Sequence, residues 1–244
     1  MLSRVLLPVL AGLAVLPMTA HASEEGGEDN GKIWSGTLEV GAVFTTGNTE
    51  EENLKFRTDW LRDTEHWAHA FHMDGLRSSQ EGELTAHRLY AYYQADRKLN
   101  DIESIFARVS YEDDRFSGFD YQWDATSGYS RILIDDETMK LDTDVGAGFR
   151  VSSLDDGDKE EELIVRLAGT FTWQVSENSR FGQKLSTEIG EESTISRSET
   201  SLSANISGSL AMKLTYTVKH NSDPPVDTEA TDTEASVTLV YEIQ

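Results

Sequence analysis

Beyond the first 22 residues, the histidines His66, His69, His72, His87 and His220 are the side chains best suited to chemistry. The spacing His66-x-x-His69-x-x-His72 has the look of a metal-ligand set. In an extended strand, however, His66 and His72 share a face about 20 Å apart while His69 points to the opposite face. Ligands so spread cannot close on one ion, so no metal site is assigned, and His66 and His72 are expected beside Asp74 on a polar face. Cysteine is absent, which removes thiol nucleophiles and thiolate–metal chemistry. A serine nucleophile needs a base within hydrogen-bond reach. The chain has no Gly-x-Ser-x-Gly turn, leaving His87 with a serine on a neighbouring strand as the one enzymatic candidate. No catalytic residue and no cofactor is assigned. The run Asp155-Asp156-Gly157-Asp158, followed by Glu160-Glu161-Glu162, offers the hard oxygen ligands that calcium prefers. Its spacing departs from that of an EF-hand loop. The expectation is a solvated loop tip with weakly bound divalent cations, bridging lipopolysaccharide phosphates.

Charge narrows the partners. The chain carries 44 Asp plus Glu against 21 Lys plus Arg, a net −23. Nucleic acid is excluded as a partner, because neutralising phosphates requires a basic face. The N-terminus reads as an export signal. Arg4 precedes the short apolar run Val5 to Met18, and Ala20-His21-Ala22 supplies the small-x-small cleavage pattern. Residues 1–22 are therefore expected to be cleaved after Ala22, with 23–32 an acidic linker and 33–244 the folded domain. No later stretch is apolar enough for a transmembrane helix.

The elements that must position any site have a period of two. Leu141, Thr143, Val145, Ala147, Phe149 and Val151 alternate with Asp142, Asp144, Gly146, Gly148 and Arg150. Val165, Leu167, Gly169, Phe171, Trp173 and Val175 repeat the pattern, which belongs to strands. About twelve such segments follow one another, near 33–46, 52–62, 66–77, 84–99, 102–112, 120–134, 138–152, 163–175, 180–190, 196–206, 210–220 and 233–243. They are longer than the five or six residues usual in globular strands and match the roughly 9–11 of a tilted membrane-spanning strand. With 38% hydrophobic residues, a continuous core for twelve long strands is hard to supply. An antiparallel up-and-down transmembrane β-barrel of about twelve strands, within a range of ten to fourteen, needs no such core. The connections alternate long and short, from Gly47–Glu51 and Asp63–Glu65 to the longest, Asn221–Asp232. That order places both termini on the periplasmic side. Trp34, Trp60, Trp67, Trp123 and Trp173 suit interfacial girdles. The chain ends in Gln244 rather than the aromatic that barrel-assembly machinery reads, with Tyr241 and Ile243 close by.

If apolar faces meet lipid, the lumen receives Lys55, Arg57, Asp59, Arg88, Arg108, Glu112, Asp124, Lys140, Asp142, Asp144, Arg150, Arg166, Lys184, Glu188, Lys213 and Lys219. Both signs interleave, so a crowded, partly ion-paired interior with a narrow polar path is expected.

One ordered set of motifs adds a resemblance. Trp34-Ser35-Gly36 leads to the Gly47-Asn48-Thr49 turn and a charged strand ending near Trp60. Phe116-Ser117-Gly118-Phe119, Gly128-Tyr129-Ser130 and Gly146-Ala147-Gly148-Phe149 follow. Over residues 34–244 the chain resembles the salt-induced outer-membrane protein family, also described as domain of unknown function 481. The resemblance implies an outer-membrane barrel of a Gram-negative cell tied to salt response, and it carries over no catalytic residue. The expected role is envelope or salt-stress adaptation with a narrow channel for small ions or solutes. The expected surroundings are outer-membrane lipid, lipopolysaccharide and the assembly machinery. Two other readings stand beside it: a barrel enzyme acting on lipid or lipopolysaccharide, and a soluble periplasmic β-sandwich that binds a ligand.

Overall fold

The computed structural model describes residues 34–45, 51–80, 83–115, 117–154, 157–226 and 228–243. The expected signal and linker, the Gly47-Asn48-Thr49 turn, Phe116, Asp155-Asp156 and Gln244 lie outside them. The described residues form twelve strands. They are β1 Trp34–Thr45, β2 Glu51–Asp63, β3 Trp67–Gln80, β4 Glu83–Lys98, β5 Glu103–Asp114 and β6 Phe119–Asp135. The second half holds β7 Met139–Leu154, β8 Lys159–Ser176, β9 Ser179–Gly190, β10 Thr194–Ser207, β11 Leu210–Asn221 and β12 Thr231–Ile243.

Each strand pairs antiparallel with its sequence neighbours, and β12 pairs with β1 to close the barrel. Among the described residues this seam is short, with five pairs from Gly36↔Ile243 to Val40↔Leu239, where β1 and β2 share twelve. The twelve-strand antiparallel barrel read from the alternation is the fold observed.

The alternation sorts side chains inside out. Along β5, Phe106, Arg108, Ser110 and Glu112 are buried, while Ile105, Val109 and Tyr111 are exposed. Leu38, Val40, Leu54, Phe56, Phe71, Val145, Leu167, Leu185, Leu214 and Val237 likewise face outward. Each large apolar side chain left in water forfeits roughly 1.5–3 kcal/mol, so a belt of this extent is compatible only with lipid around it. Most strands are long enough to cross a bilayer and project beyond it, β8 reaching 18 residues. The closed barrel with an apolar exterior overturns the β-sandwich reading.

The strands run further than the sequence suggests at one end. β3 and β4 continue through Gln80 and from Glu83, so Ser78–Glu83 is mostly ladder and its connection is only 81–82. The β4–β5 connection, 99–102, is longer, and the strict long–short alternation breaks there. Likewise β8 begins at Lys159, placing Glu160, Glu161 and Glu162 in a strand rather than a loop tip. Outside the bilayer both faces of a strand meet water, so polarity no longer distinguishes it from a loop.

The barrel has a terminal end, carrying Trp34, Ile243 and the turns 64–66, 99–102 and 136–138, and an opposite loop end. At the terminal end, Asp136 Oδ1 accepts the backbone N–H groups of Thr138 (2.9 Å) and Met139 (2.7 Å), which hold its carboxyl below the usual range. At the loop end the 222–230 connection folds back onto the barrel rather than standing free. Ser222 N donates to Thr194 O (3.0 Å), and Asn221 N donates to Ala230 O (2.9 Å). Pro225 lies against Gly118, which has φ +77, and a Cβ added there would come within 2.7 Å of the proline. Glycine is required at that turn on both counts.

Candidate functional site: a lumen bridged by ion pairs

Side chains from distant strands meet across the interior. Arg57 on β2 donates to Glu199 on β10 (2.6 Å) and to Asp59 (3.0 Å), and its Nε lies 3.8 Å from Glu39 on β1. Arg88 on β4 reaches Asp74 (3.0 Å) and Glu234 on β12 (3.1 Å), and Lys55 pairs with the same Glu234. Lys213 on β11 donates to Glu39 (2.8 Å). Lys184 on β9 sits 3.9 Å from Asp59.

Nearer the loop end, Glu112 on β5 accepts from Arg197 on β10 (2.7 Å) and Lys219 on β11 (2.8 Å). Arg197 also reaches Glu188 (3.1 Å), which pairs with Arg166, while Arg108 holds Asp124 (3.2 Å). In a ring of twelve strands, β5–β11 is a full diameter. The contacts from β2 to β10, from β4 to β12 and from β5 to β10 and β11 therefore act as struts across the bore, while Arg108–Asp124 and Arg166–Glu188 join neighbouring strands along the wall.

Aromatic rings pad the struts. Arg108 lies 4.6 Å from the Tyr92 ring centre and donates to the Tyr90 hydroxyl (2.6 Å), and Arg197 lies 5.4 Å from the Tyr90 ring. His72 stacks on Tyr92, with Nδ1 2.8 Å from Asp59 and Nε2 3.0 Å from Asp74. Both ring nitrogens are therefore committed to the network. On one side the wall is built from small residues. Gly128, Gly146 and Gly148 face inward on β6 and β7, and the buried ring of Phe106 lies over Gly146. A Cβ on Gly146 would stand 2.7 Å from Phe106 Cζ.

A cavity of about 910 Å³ enters from the terminal end, where Lys98, Asn100, Asp135 and Glu242 line it. It extends into the bore as deep as Arg88, Glu112, Arg197 and Lys219. Towards the loop end the interior is packed with buried Gln122, Arg150, Ser152, Ile164, Ile195 and Asn221.

The charged residues expected to line the lumen fall into three groups. Lys55, Arg57, Asp59, Arg88, Arg108, Glu112, Asp124, Arg166, Lys184, Glu188, Lys213 and Lys219 belong to the ion-pair network just described. Arg150, 2% exposed, is occupied by Glu162, which in turn accepts the Glu192 backbone N–H (2.9 Å). That contact makes Glu162 a structural partner, at odds with its expected place in a solvated acidic tip. Lys140, Asp142 and Asp144 line the mouth, with Lys140 3.6 Å from Asp142 and Ser130 donating to Asp144 (2.6 Å).

The histidines divide differently from expectation. His66 precedes β3 in the turn and is exposed beside Glu65 (3.8 Å), so only His72 joins Asp74 in the interior. His87 is exterior-facing, and its buried Nδ1 has no hydrogen-bond partner among the described residues. The partners missed by sequence reasoning are Glu39, Arg197, Glu199 and Glu234. Glu39 was findable, since it alternates with Leu38 and Val40.

Fold and interior together define a transmembrane β-barrel with a polar, ion-paired lumen. Residues 38–243 match the family described as "Protein of unknown function, DUF481", and the chain belongs to that family. It is 27% identical over 213 residues to the uncharacterized protein YdiY of Escherichia coli K12, covering 86% of this chain and 83% of that protein. Three solved barrels share the fold at low identity. The NanC porin superposes with TM-score 0.52 at 9% identity, covering 86% of this chain and all of its own. An outer membrane channel from Pseudomonas putida F1 gives 0.51 at 10%, covering 89% of this chain and 100% of that one. The translocator domain of autotransporter NalP from Neisseria meningitidis gives 0.50 at 12%, covering 88% and 90%.

Proposed function

We propose that the chain is an outer-membrane barrel serving envelope adaptation to salt, and that its lumen is a narrow path for small ions or solutes. In this reading the terminal end faces the periplasm. The observation that carries it is the cavity that runs in from that end and stops at the Glu112–Arg197–Lys219 struts. A lumen needed only for stability could be filled throughout; here about 910 Å³ is kept open up to a charged barrier. The porin and channel among the barrels of like fold support a transport role.

Salt provides the physical link. The Debye length falls from about 10 Å at 0.1 M to about 3 Å at 1 M, and struts that face a wet cavity weaken accordingly. Conductance therefore rises more steeply with salt than the bulk conductivity of the solution does. Single-channel recording in planar bilayers across a salt series tests this. A flat trace over a wide voltage range at both low and high salt sinks the proposal.

A further inference from the structure

The exterior of the terminal end carries a feature the lumen does not explain. Trp34 on β1 is the registered cross-strand partner of Arg62 on β2, and Trp67 on β3 is that of Arg97 on β4. In both pairs the guanidinium lies over the indole, 5.5 Å from the Trp34 ring and 5.4 Å from the Trp67 ring. Both tryptophans are exposed, at 57% and 42%, and both arginines are exposed. Neither arginine has a carboxylate oxygen within 4 Å among the described residues, although the chain carries a net −23. A nearby carboxylate, Asp63, is engaged by Lys98 instead.

The second pair continues as a stack along the outer wall. The Trp67 ring lies 6.0 Å from His69, and the His69 ring lies 6.0 Å from Tyr93. His69 Nδ1 and the Tyr93 hydroxyl are 2.7 Å apart. On the same outer face, exposed Phe71 follows two residues further into the apolar belt. The third hairpin differs, because Arg131 is within 3.7 Å of Glu103 on β5.

We infer that the terminal-end exterior of β1–β4 is a binding site for the phosphate headgroup of an anionic membrane phospholipid. Arg62 and Arg97 would each meet a headgroup phosphate, and the indoles would sit at the headgroup boundary with the acyl chains against the belt. Stacking on tryptophan holds each guanidinium in place while leaving its N–H edge free to donate. Such a fixed fork suits a phosphate better than a mobile ammonium does. Tryptophan favours this depth in a bilayer, and basic groups beside it draw anionic lipid. The arrangement depends on the membrane-spanning fold alone and is independent of whether the lumen conducts.

The test uses the full chain in nanodiscs of phosphatidylcholine containing a minor fraction of phosphatidylglycerol. Lipids that stay with the barrel after detergent extraction are identified by native mass spectrometry. Retained lipid is expected to be enriched in phosphatidylglycerol about fivefold over the bulk, the factor equivalent to roughly 1 kcal/mol for one arginine at an anionic surface. The double variant Arg62→Gln/Arg97→Gln loses that enrichment, and Arg131→Gln keeps it. Heat-modifiable gel migration verifies that each variant is folded. Retained lipid of bulk composition in the unaltered chain overturns the inference, as does equal retention of phosphatidylcholine. Enrichment that survives the double variant does the same.

Discussion

Glu112→Gln removes the carboxylate on which two struts converge. Its partners Arg197 and Lys219 sit 2.7 and 2.8 Å away, so the substitution leaves two positive charges side by side on the neighbouring strands β10 and β11. Stripping one partner from a fully buried pair costs about 3–5 kcal/mol. Arg197 keeps 22% of its side chain exposed to the wet cavity, so a loss of about 2 kcal/mol is expected here. The barrel still folds, and the larger effect falls on permeation. Arg197 keeps Glu188, whereas Lys219 is stripped of its Glu112 partner. An anion about 4 Å from that ammonium gains about 4 kcal/mol at an effective dielectric near 20 and about 1 kcal/mol in bulk water. A value near 1.4 kcal/mol, towards the aqueous limit, corresponds to about a tenfold change in anion over cation preference. The assay is the reversal potential in a potassium chloride gradient. Glu112→Gln should shift it towards chloride selectivity and raise conductance, while Glu112→Asp should stay close to the unaltered chain. An unchanged reversal potential and unchanged conductance in a variant that still migrates as a folded barrel would refute the gate reasoning.

Three further outcomes are expected. Gly146→Val sets a branched side chain against Phe106 Cζ at 2.7 Å and the Ser127 carbonyl at 2.8 Å, and should destabilise the barrel by about 1–3 kcal/mol in urea unfolding. Arg150→Gln strands buried Glu162 and should cost about 3–5 kcal/mol, most of it recovered in Arg150→Gln/Glu162→Gln. The Asp136 carboxyl is held below its usual range by the turn N–H groups of Thr138 and Met139. Its contribution to turn order is therefore complete above the ordinary carboxylate pKa and fades as pH falls through the lowered one. Amide exchange at Thr138 across the acid range should show that loss, and Asp136→Asn should flatten the dependence.

Strand number and facing were legible because lipid and lumen impose opposite chemistry on alternate residues, as along Ile105 to Glu112. The signal failed where that contrast ended. Ser78–Glu83 and Glu160–Glu162 lie beyond the apolar belt, so their strands carry no alternation although their ladders continue. Strand β10 hid Arg197 and Glu199 for a related reason. Its outward positions include Ser196, Ser198 and Thr200, and Ile195 is buried inside, so polarity gives no parity until Leu202. Which charges meet was not readable at all. Arg57 and Glu199, or Lys55 and Glu234, become neighbours only through the tilt and shear of a closed cylinder, and local sequence carries no record of either.

The seam between β1 and β12, five pairs among the described residues, has a consequence for how the molecule comes into being. Every other joint links strands adjacent in sequence, whereas this one unites the two ends of the chain. Non-local pairings of this kind form slowly, because a long loop must close before any contact rewards it. Until the last strand arrives, the nascent protein is a curled sheet with two raw margins, and unpaired margins of this kind recruit foreign strands. Assembly therefore has a distinct final act: the joint with the fewest pairs among the described residues is also the one that turns a sheet into a vessel.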